Sequence, residues 1–449
     1  MNTGNQDGIH EMRMELRRRL RSIRWLHSLH LFYWTYFVRM RELFGLAIVK
    51  RRAMQRRYQA QLKRIQGKFG KEKIKVFFLV SNTAKWKCQS VFDIMRNSDN
   101  YDPIVALVPM DIEASMPIEV KRQRFSELRG YFTSRGIPCI DAYDFEADKY
   151  IHLCNFAPDI VWYQMPDYGS PTISPETISS FALSCYVPYF VQNYGGLNMD
   201  CGGIFHRMLW RHFTLNEEWA LMFMRYQGRF FRVGETIGTG HPMLDSIVSD
   251  SKTVESGEAL VIYAPHWSCG VGENFSTFLK NGEKILNLAK EYKSIRWVFK
   301  PHPSLKHTLI ENKLMSEEEV DRYYSEWGKI GELCNGGDYS ALFAKSSAMI
   351  TDCASFLTEY GCTGKPLIHL ISSNSLYKPH PISARLYDTY YKARNWDEFM
   401  GHFRRVVIDC DDYKREVRLS VLDSMRIRCG NAADNIVSYL DKVFGGKRE

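Results

Sequence analysis

At 449 residues the chain is too long for one simple core and fits two domains of roughly 150–200 residues each with extensions. Its composition, 45% hydrophobic and 25% charged, excludes a disordered or fibrous class. The net charge of +9 is unevenly placed: residues 11–75 carry 19 Lys and Arg against 4 Asp and Glu, and the remainder carries 41 against 47. So mildly acidic a body excludes a nucleic-acid-binding core, whereas a basic arm suits an anionic surface such as a membrane.

In chain order, residues 1–10 are polar and 11–66 read as one or two helices, with no Pro and Gly only at Gly45. Arg13, Arg17, Arg18, Arg19, Arg21 and Arg24 precede an apolar, aromatic run over 25–38, and Arg39 and Arg41 close it. About fourteen apolar residues fall short of the roughly twenty that span a bilayer. No small-residue cleavage site follows, which argues against a signal peptide. Rings and leucines flanked by cations suit an interfacial helix, so residues 1–72 are expected to form a basic, membrane-associating segment. The competing expectation is a helix packed on the protein's own body or on a second protomer.

Residues 73–80 (KIKVFFLV) are the first buried strand. Strands at 103–108, 137–140, 158–163 and 185–191 follow, with helices between them such as 119–135. Asn193, Tyr194, Gly195 and Gly196 make a Gly-rich loop at a strand end, and His241 and Asp245 lie in a Gly-His-Pro-Met-Leu-Asp stretch. A polar linker over 249–257 separates this half, 73–248, from a second alternation over 258–413. The second half carries strands at 259–264, 295–299 and near 349, and 414–449 reads as a terminal helix region. Alternating strands and helices in two similar halves predict an α/β protein of two doubly wound, Rossmann-like domains facing a cleft.

Three motifs in the second half end strands: Pro265-His266-Trp267-Ser268, Lys300-Pro301-His302-Pro303 and Thr351-Asp352-Cys353-Ala354-Ser355. Strand ends in a parallel sheet share one edge, so the motifs converge on one ligand. A His bracketed by prolines after a Lys is rigidly aimed, as phosphate ligand or acid. Small residues at a helix start offer free N–H groups to an anion, here the diphosphate of a nucleotide-activated donor. The plainer reading of that turn is an ordinary capped βαβ unit. His302 and Asp352 are thus the catalytic candidates. His266, Ser268, Lys300, Thr351, Ser355 and Lys365 are the donor-binding candidates. Asn193, Tyr194, Gly195 and His241 are the acceptor-side candidates. Eleven cysteines are scattered, odd in number and without a C-x-x-C pair. They read as reduced thiols with neither zinc site nor disulfide framework; no metal or cofactor is expected.

The motif series Ala264-Pro265-His266-Trp267, His302-Pro303, Asp352–Ser355 and Gly364-Lys365-Pro366 resembles the CDP-glycerol glycerophosphotransferase family, the primases and polymerases of bacterial teichoic acid. The resemblance covers about 185–375 and is strongest over 260–370. Gly240-His241-Pro242-Met243-Leu244-Asp245 is similar to that family's Gly-x-Pro-x-x-Asp element. The resemblance implies a GT-B-like fold and work at the inner face of the cell membrane, hence a cytoplasmic, peripheral protein. It also implies that no nucleotide-binding metal is used. By the same resemblance His302 meets the diphosphate or protonates the leaving nucleotide, and Asp352 and Ser355 hold glycerol or phosphate. A lipid-linked or polymer acceptor hydroxyl then attacks the β-phosphorus of CDP-glycerol and CMP leaves. Two places depart from the family: Asn193-Tyr194-Gly195-Gly196 stands where it carries His-Gly, and Asp352-Cys353-Ala354-Ser355 where it carries Asp-Tyr-Ser-Ser. Alternatives stay open in a GT-B glycosyltransferase or sugar-nucleotide 2-epimerase using a UDP-sugar, of which Gly238-Thr239-Gly240-His241-Pro242 is reminiscent, and in a catalytically silent binding relative. Association of the long helices into a homo-oligomer is compatible with each.

Overall fold

Long apolar runs such as Ile74–Val80 bury both faces, as strands inside a parallel sheet do. The computed structural model describes residues 50–446 apart from 110–115, 167–169, 192–202, 229–231, 252–258, 271–273, 335–338, 374, 376–378 and 428–429. Its first sheet contains β1 (Ile74–Val80), β2 (Tyr101–Leu107), β3 (Cys139–Asp141), β6 (Ile160–Tyr163), β7 (Leu183–Tyr186), β8 (Arg211–Thr214) and β9 (Glu235–Gly238). A small antiparallel ladder, β4 (Tyr143–Asp144) with β5 (Lys149–Tyr150), lies outside it. The order is β3-β2-β1-β6-β7-β8-β9, parallel throughout.

The second sheet contains β10 (Leu260–Ala264), β11 (Arg296–Phe299), β12 (Glu332–Leu333), β13 (Ala348–Thr351), β14 (Leu367–Leu370) and β15 (Tyr391–Ala393). Its order is β12-β11-β10-β13-β14-β15, again parallel. In each sheet the winding reverses beside the first strand, between β1 and β6 and between β10 and β13. Such a reversal opens a crevice outside the strand C-termini, where doubly wound sheets place ligands. The fold is the expected pair of Rossmann-like domains.

The ends of the chain are organised differently from the sequence boundaries. The helix Arg51–Lys68, placed by sequence in a separate segment ending at residue 72, packs into the first core through Met54, Tyr58 and Ile65. The Tyr58 hydroxyl is 2.6 Å from the Ser184 Oγ and donates to the Met208 carbonyl at 3.0 Å. Arg64 and Lys68 both pair with the buried carboxylate of Asp159. The 414–449 region is also not one unit. Leu422 and Met425, at the end of the helix Arg415–Ser424, join a core built from both halves, with Trp219 and Leu244 of the first beside Leu260 and Met349 of the second, while Ala432–Phe444 returns to the first through Ile436, Leu440 and Phe444. Asp245 caps that returning helix, accepting from the Ala432 and Ala433 amides at 2.9 and 2.8 Å. The aromatic run over 25–38, and with it the interfacial-helix expectation, lies outside the described residues. No helix among the described residues is long and apolar enough to cross a membrane.

Candidate functional site

The site is built where β10, β11 and β13 end. β10 runs into Pro265-His266-Trp267-Ser268, and β11 into Lys300-Pro301-His302. The His302 amide donates to the Pro265 carbonyl at 3.0 Å, which ties the two loops together. The imidazoles of His266 and His302 then lie 5.3 Å apart, centroid to centroid, with Trp267 6.2 Å from His302.

Hydrogen bonding sets the tautomers. The His266 Nδ1 accepts from the Ser268 amide at 3.2 Å and lies 2.8 Å from the Ser268 hydroxyl. The His302 Nδ1 accepts from the Ser304 amide at 3.1 Å. An Nδ1 that accepts leaves Nε2 as the protonated nitrogen, so both rings are hydrogen-bond donors. Burial lowers the His266 pKa to about 3, helped by His302, and lowers that of His302 to about 4, helped by the Lys300 ammonium. Both rings are neutral near pH 7. Lys300 itself is buried, with its Nζ 4.6 Å from the centre of the Tyr339 ring and 5.6 Å from that of Phe356. Burial lowers its pKa from the ordinary lysine value.

Asp352 follows β13 and faces inward rather than toward a ligand. One carboxylate oxygen accepts from the His266 amide at 2.6 Å, and the other from the Thr277 amide and hydroxyl at 2.5 and 2.8 Å. Burial raises its pKa to about 6, against the opposing pull of these donors. Asp352 therefore clips the β10 loop to the β13 turn, a positioning role. Thr351 is similarly engaged, donating to the Ala264 carbonyl at 2.6 Å and accepting from the Cys353 amide at 2.9 Å. The Ser268 hydroxyl is buried and accepts from the Phe275 amide at 2.9 Å. Ser355 is half-buried, 3.6 Å from the Cys353 Sγ, in the first turn of the helix Ala354–Glu359. His266, His302, Lys300 and the Asp352–Ser355 turn thus gather at one edge.

Two expected residues stand elsewhere. The Lys365 ammonium donates to the carbonyls of Phe343, Ala344 and Ser346 at 3.0, 2.5 and 2.7 Å, so it closes the C-terminus of the helix Ser340–Lys345. His241 is buried, with Nε2 2.8 Å from the Pro188 carbonyl and Nδ1 accepting from the Met243 amide at 3.3 Å. Both of its ring nitrogens are spent on the backbone. Asn193, Tyr194 and Gly195 lie outside the described residues. His206, the histidine nearest them in sequence, is buried against the rings of Tyr186 and His212.

Sequence reasoning missed Lys87, Tyr339 and Glu359. The Tyr339 hydroxyl donates to Glu359 at 2.7 Å, and the Lys87 Nζ of the first domain stands 4.3 Å from the centre of the Tyr339 ring. Glu359 is buried and its pKa is raised by that burial, with Lys87 and the Tyr339 bond opposing. The signal was an acid inside an apolar helix, Phe356-Leu357-Thr358-Glu359. Among the described residues no three His, Cys, Asp or Glu side chains gather in a metal-binding arrangement.

No family model and no curated protein matches the sequence. Solved structures share its fold. The wall teichoic acid polymerase TagF, in a single-residue variant soaked with CDPG, superposes with a TM-score of 0.52 at 13% identity, over 92% of this chain and 99% of that one. The UDP-GlcNAc 2-epimerase of Neisseria meningitidis bound to UDP-GlcNAc gives 0.52 at 14%, over 82% and 100%. A second structure of UDP-N-acetylglucosamine 2-epimerase gives 0.52 at 14%, over 84% and 98%. The fold is therefore common to a wall teichoic acid polymerase and to UDP-GlcNAc 2-epimerases.

Proposed function

We propose that the chain is a transferase that uses a nucleoside-diphosphate donor, moving glycerol phosphate from CDP-glycerol to a hydroxyl acceptor. The observation that carries this reading is the pair of neutral, Nε2-protonated imidazoles of His266 and His302 beside the buried Lys300. Two fixed N–H donors and one ammonium suit a diphosphate at the reversal of strand order.

The acceptor oxygen attacks the β-phosphorus, and the bond from that phosphorus to the bridging oxygen breaks. CMP leaves with the electron pair, and the acceptor's proton passes to solvent or a base. Phosphoryl transfer needs positioning and charge neutralisation more than a strong base. That demand fits these groups better than epimerisation at a sugar carbon, which must remove a carbon-bound proton. The two carboxylates buried here are both engaged, Asp352 by Thr277 and His266 and Glu359 by Tyr339. The Nδ1 atoms of both imidazoles already accept hydrogen bonds. The acceptor in this reading is lipid-linked or polymeric, met at an anionic membrane surface on the cytoplasmic side.

Mass spectrometry of the nucleotide released from a panel of donors tests the proposal. CMP from CDP-glycerol, with none from UDP-sugars, is the expected result. UMP or UDP release from UDP-sugars overturns it in favour of the glycosyltransferase reading, and conversion of a UDP-sugar to its epimer without net nucleotide release overturns it in favour of the epimerase. A folded, nucleotide-binding protein that turns over no donor points to the silent relative.

A further inference from the structure

We propose that Lys87, carried by the first domain, binds the transferred phosphate of the donor across the cleft from Lys300 and the two histidines. The inference rests on the nucleotide-dependent reading above and adds a phosphate-binding residue to it. Lys87 follows β1, beside which the first sheet reverses its winding. Its amide donates to the Gln164 Oε1 at 2.7 Å, and the Gln164 Nε2 donates to the Leu79 carbonyl at 3.4 Å. Gln164 follows β6. The lysine is thus pinned at the crevice between β1 and β6, where a doubly wound sheet meets its ligand.

The side chain crosses to the second domain. The Lys87 Nζ is 4.3 Å from the centre of the Tyr339 ring, and the Lys300 Nζ is 4.6 Å from the same centre. The Tyr339 hydroxyl donates to Glu359 at 2.7 Å, and Glu359 also accepts from the Val191 amide of the first domain. These contacts fasten the two domains at this point, so the approach of Lys87 to Lys300 belongs to the packed protein. A row therefore runs from Lys87 through Tyr339 to Lys300, and on to His302, whose imidazole feels the Lys300 charge. The nucleoside end of the donor belongs to the second domain in this reading. The phosphate that faces the first domain is then the one transferred.

The charges at the row point to an anion. Lys87 and Lys300 are 8% and 3% exposed, and a buried ammonium is costly unless it is paired. The two share Glu359, whose pKa burial raises against the pull of Lys87 and Lys300. One carboxylate offsets one of two ammoniums. Asp352 is engaged elsewhere, by Thr277 and the His266 amide. A purely structural pairing would match one lysine to one glutamate; the second lysine leaves a positive excess that a diphosphate neutralises. Lys87 forms no bond to phosphorus and moves no proton in the transfer. The acceptor oxygen bonds to the β-phosphorus, the bridging oxygen leaves with its electron pair, and the ammonium offsets charge on the phosphoryl oxygens between them.

The test uses the full chain with Lys87→Met and Lys87→Gln, and with Lys87→Arg as the conservative variant; circular dichroism checks the fold. Calorimetry measures the binding of inorganic pyrophosphate and, separately, of CMP. Steady-state assays follow CMP release from CDP-glycerol. Loss of the ammonium is expected to weaken pyrophosphate about tenfold and leave CMP affinity level. It is expected to lower kcat about 10²-fold. Lys87→Arg is expected to recover most of the pyrophosphate affinity. Pyrophosphate that binds the parent chain no more tightly than the neutral variants, or not at all, overturns the proposal. So does an equal loss of CMP and pyrophosphate, which marks the lysine as part of the domain packing. A parent chain that turns over no CDP-glycerol, with pyrophosphate affinity lost in the neutral variants, keeps the phosphate contact and refutes the transferase reading alone. A parent chain that releases CMP, with neutral variants that release it as fast, refutes the role of Lys87 and leaves the transferase reading standing.

Discussion

His302 is neutral because burial and Lys300 act against its protonation, and a bound diphosphate reverses that field. Its pKa then rises from about 4, so binding takes up a proton. Affinity for CDP-glycerol, whose diphosphate does not titrate near neutrality, is level above the bound value, climbs as pH falls from the bound value to the free one, and levels off below the free one. Titration calorimetry across pH checks the slope, and His302→Ala flattens it. The same substitution lowers the rate of CMP release by about 10²–10³-fold, the usual effect of removing one charge-stabilising donor. A near-normal rate would remove His302 from the chemistry. Lys365 gives the contrasting case. Lys365→Met strips three carbonyls of their shared donor and costs about 1–3 kcal/mol of stability. Urea denaturation should register that loss while nucleotide affinity stays level.

The strands and the turns between them were largely legible in the chain. Runs such as Ile74–Val80 and Leu260–Ala264 are apolar on both faces, and only a covered parallel sheet buries such runs. Proline-bracketed His302 and the small-residue turn after Thr351 also marked themselves, because each follows an apolar run at a strand end. The role of Asp352 was not legible. An Asp after a strand looks the same whether it faces a ligand or, as here, three backbone and side-chain donors. Helix caps between distant elements were equally hidden. Asp245 holds the first turn of Ala432–Phe444 from 187 residues away. Asp245→Ala leaves the Ala432 and Ala433 amides without these bonds and should destabilise the protein by about 1–2 kcal/mol. The measurement is a shift in the urea midpoint with an unchanged slope.

The two domains are joined by more than the linker. The returning helix packs in the first core, and the Asn216 side chain donates to the Met425 carbonyl at 2.7 Å. The helix Arg51–Lys68 belongs to that same core, which changes how the membrane expectation is tested. Removal of residues 2–49 should abolish cosedimentation with anionic liposomes and leave the thermal midpoint intact; unchanged sedimentation would refute the interfacial helix. Removal through Lys68 instead deletes Met54, Tyr58 and Ile65 and should leave the protein unfolded.

The sequence by itself determined the class of fold and the strand ends at which the candidate residues gather. Both follow from local chemistry: the period and length of apolar runs, and the residues that end them. The tertiary structure alone decided which of those residues are spent on partners within the protein. Lys365 went to backbone carbonyls, His241 to a backbone carbonyl and an amide, Asp352 to a clip between loops, and Lys87, Tyr339 and Glu359 came together from three separate stretches. Orientation and long-range pairing depend on how the two sheets pack, and no local pattern encodes that.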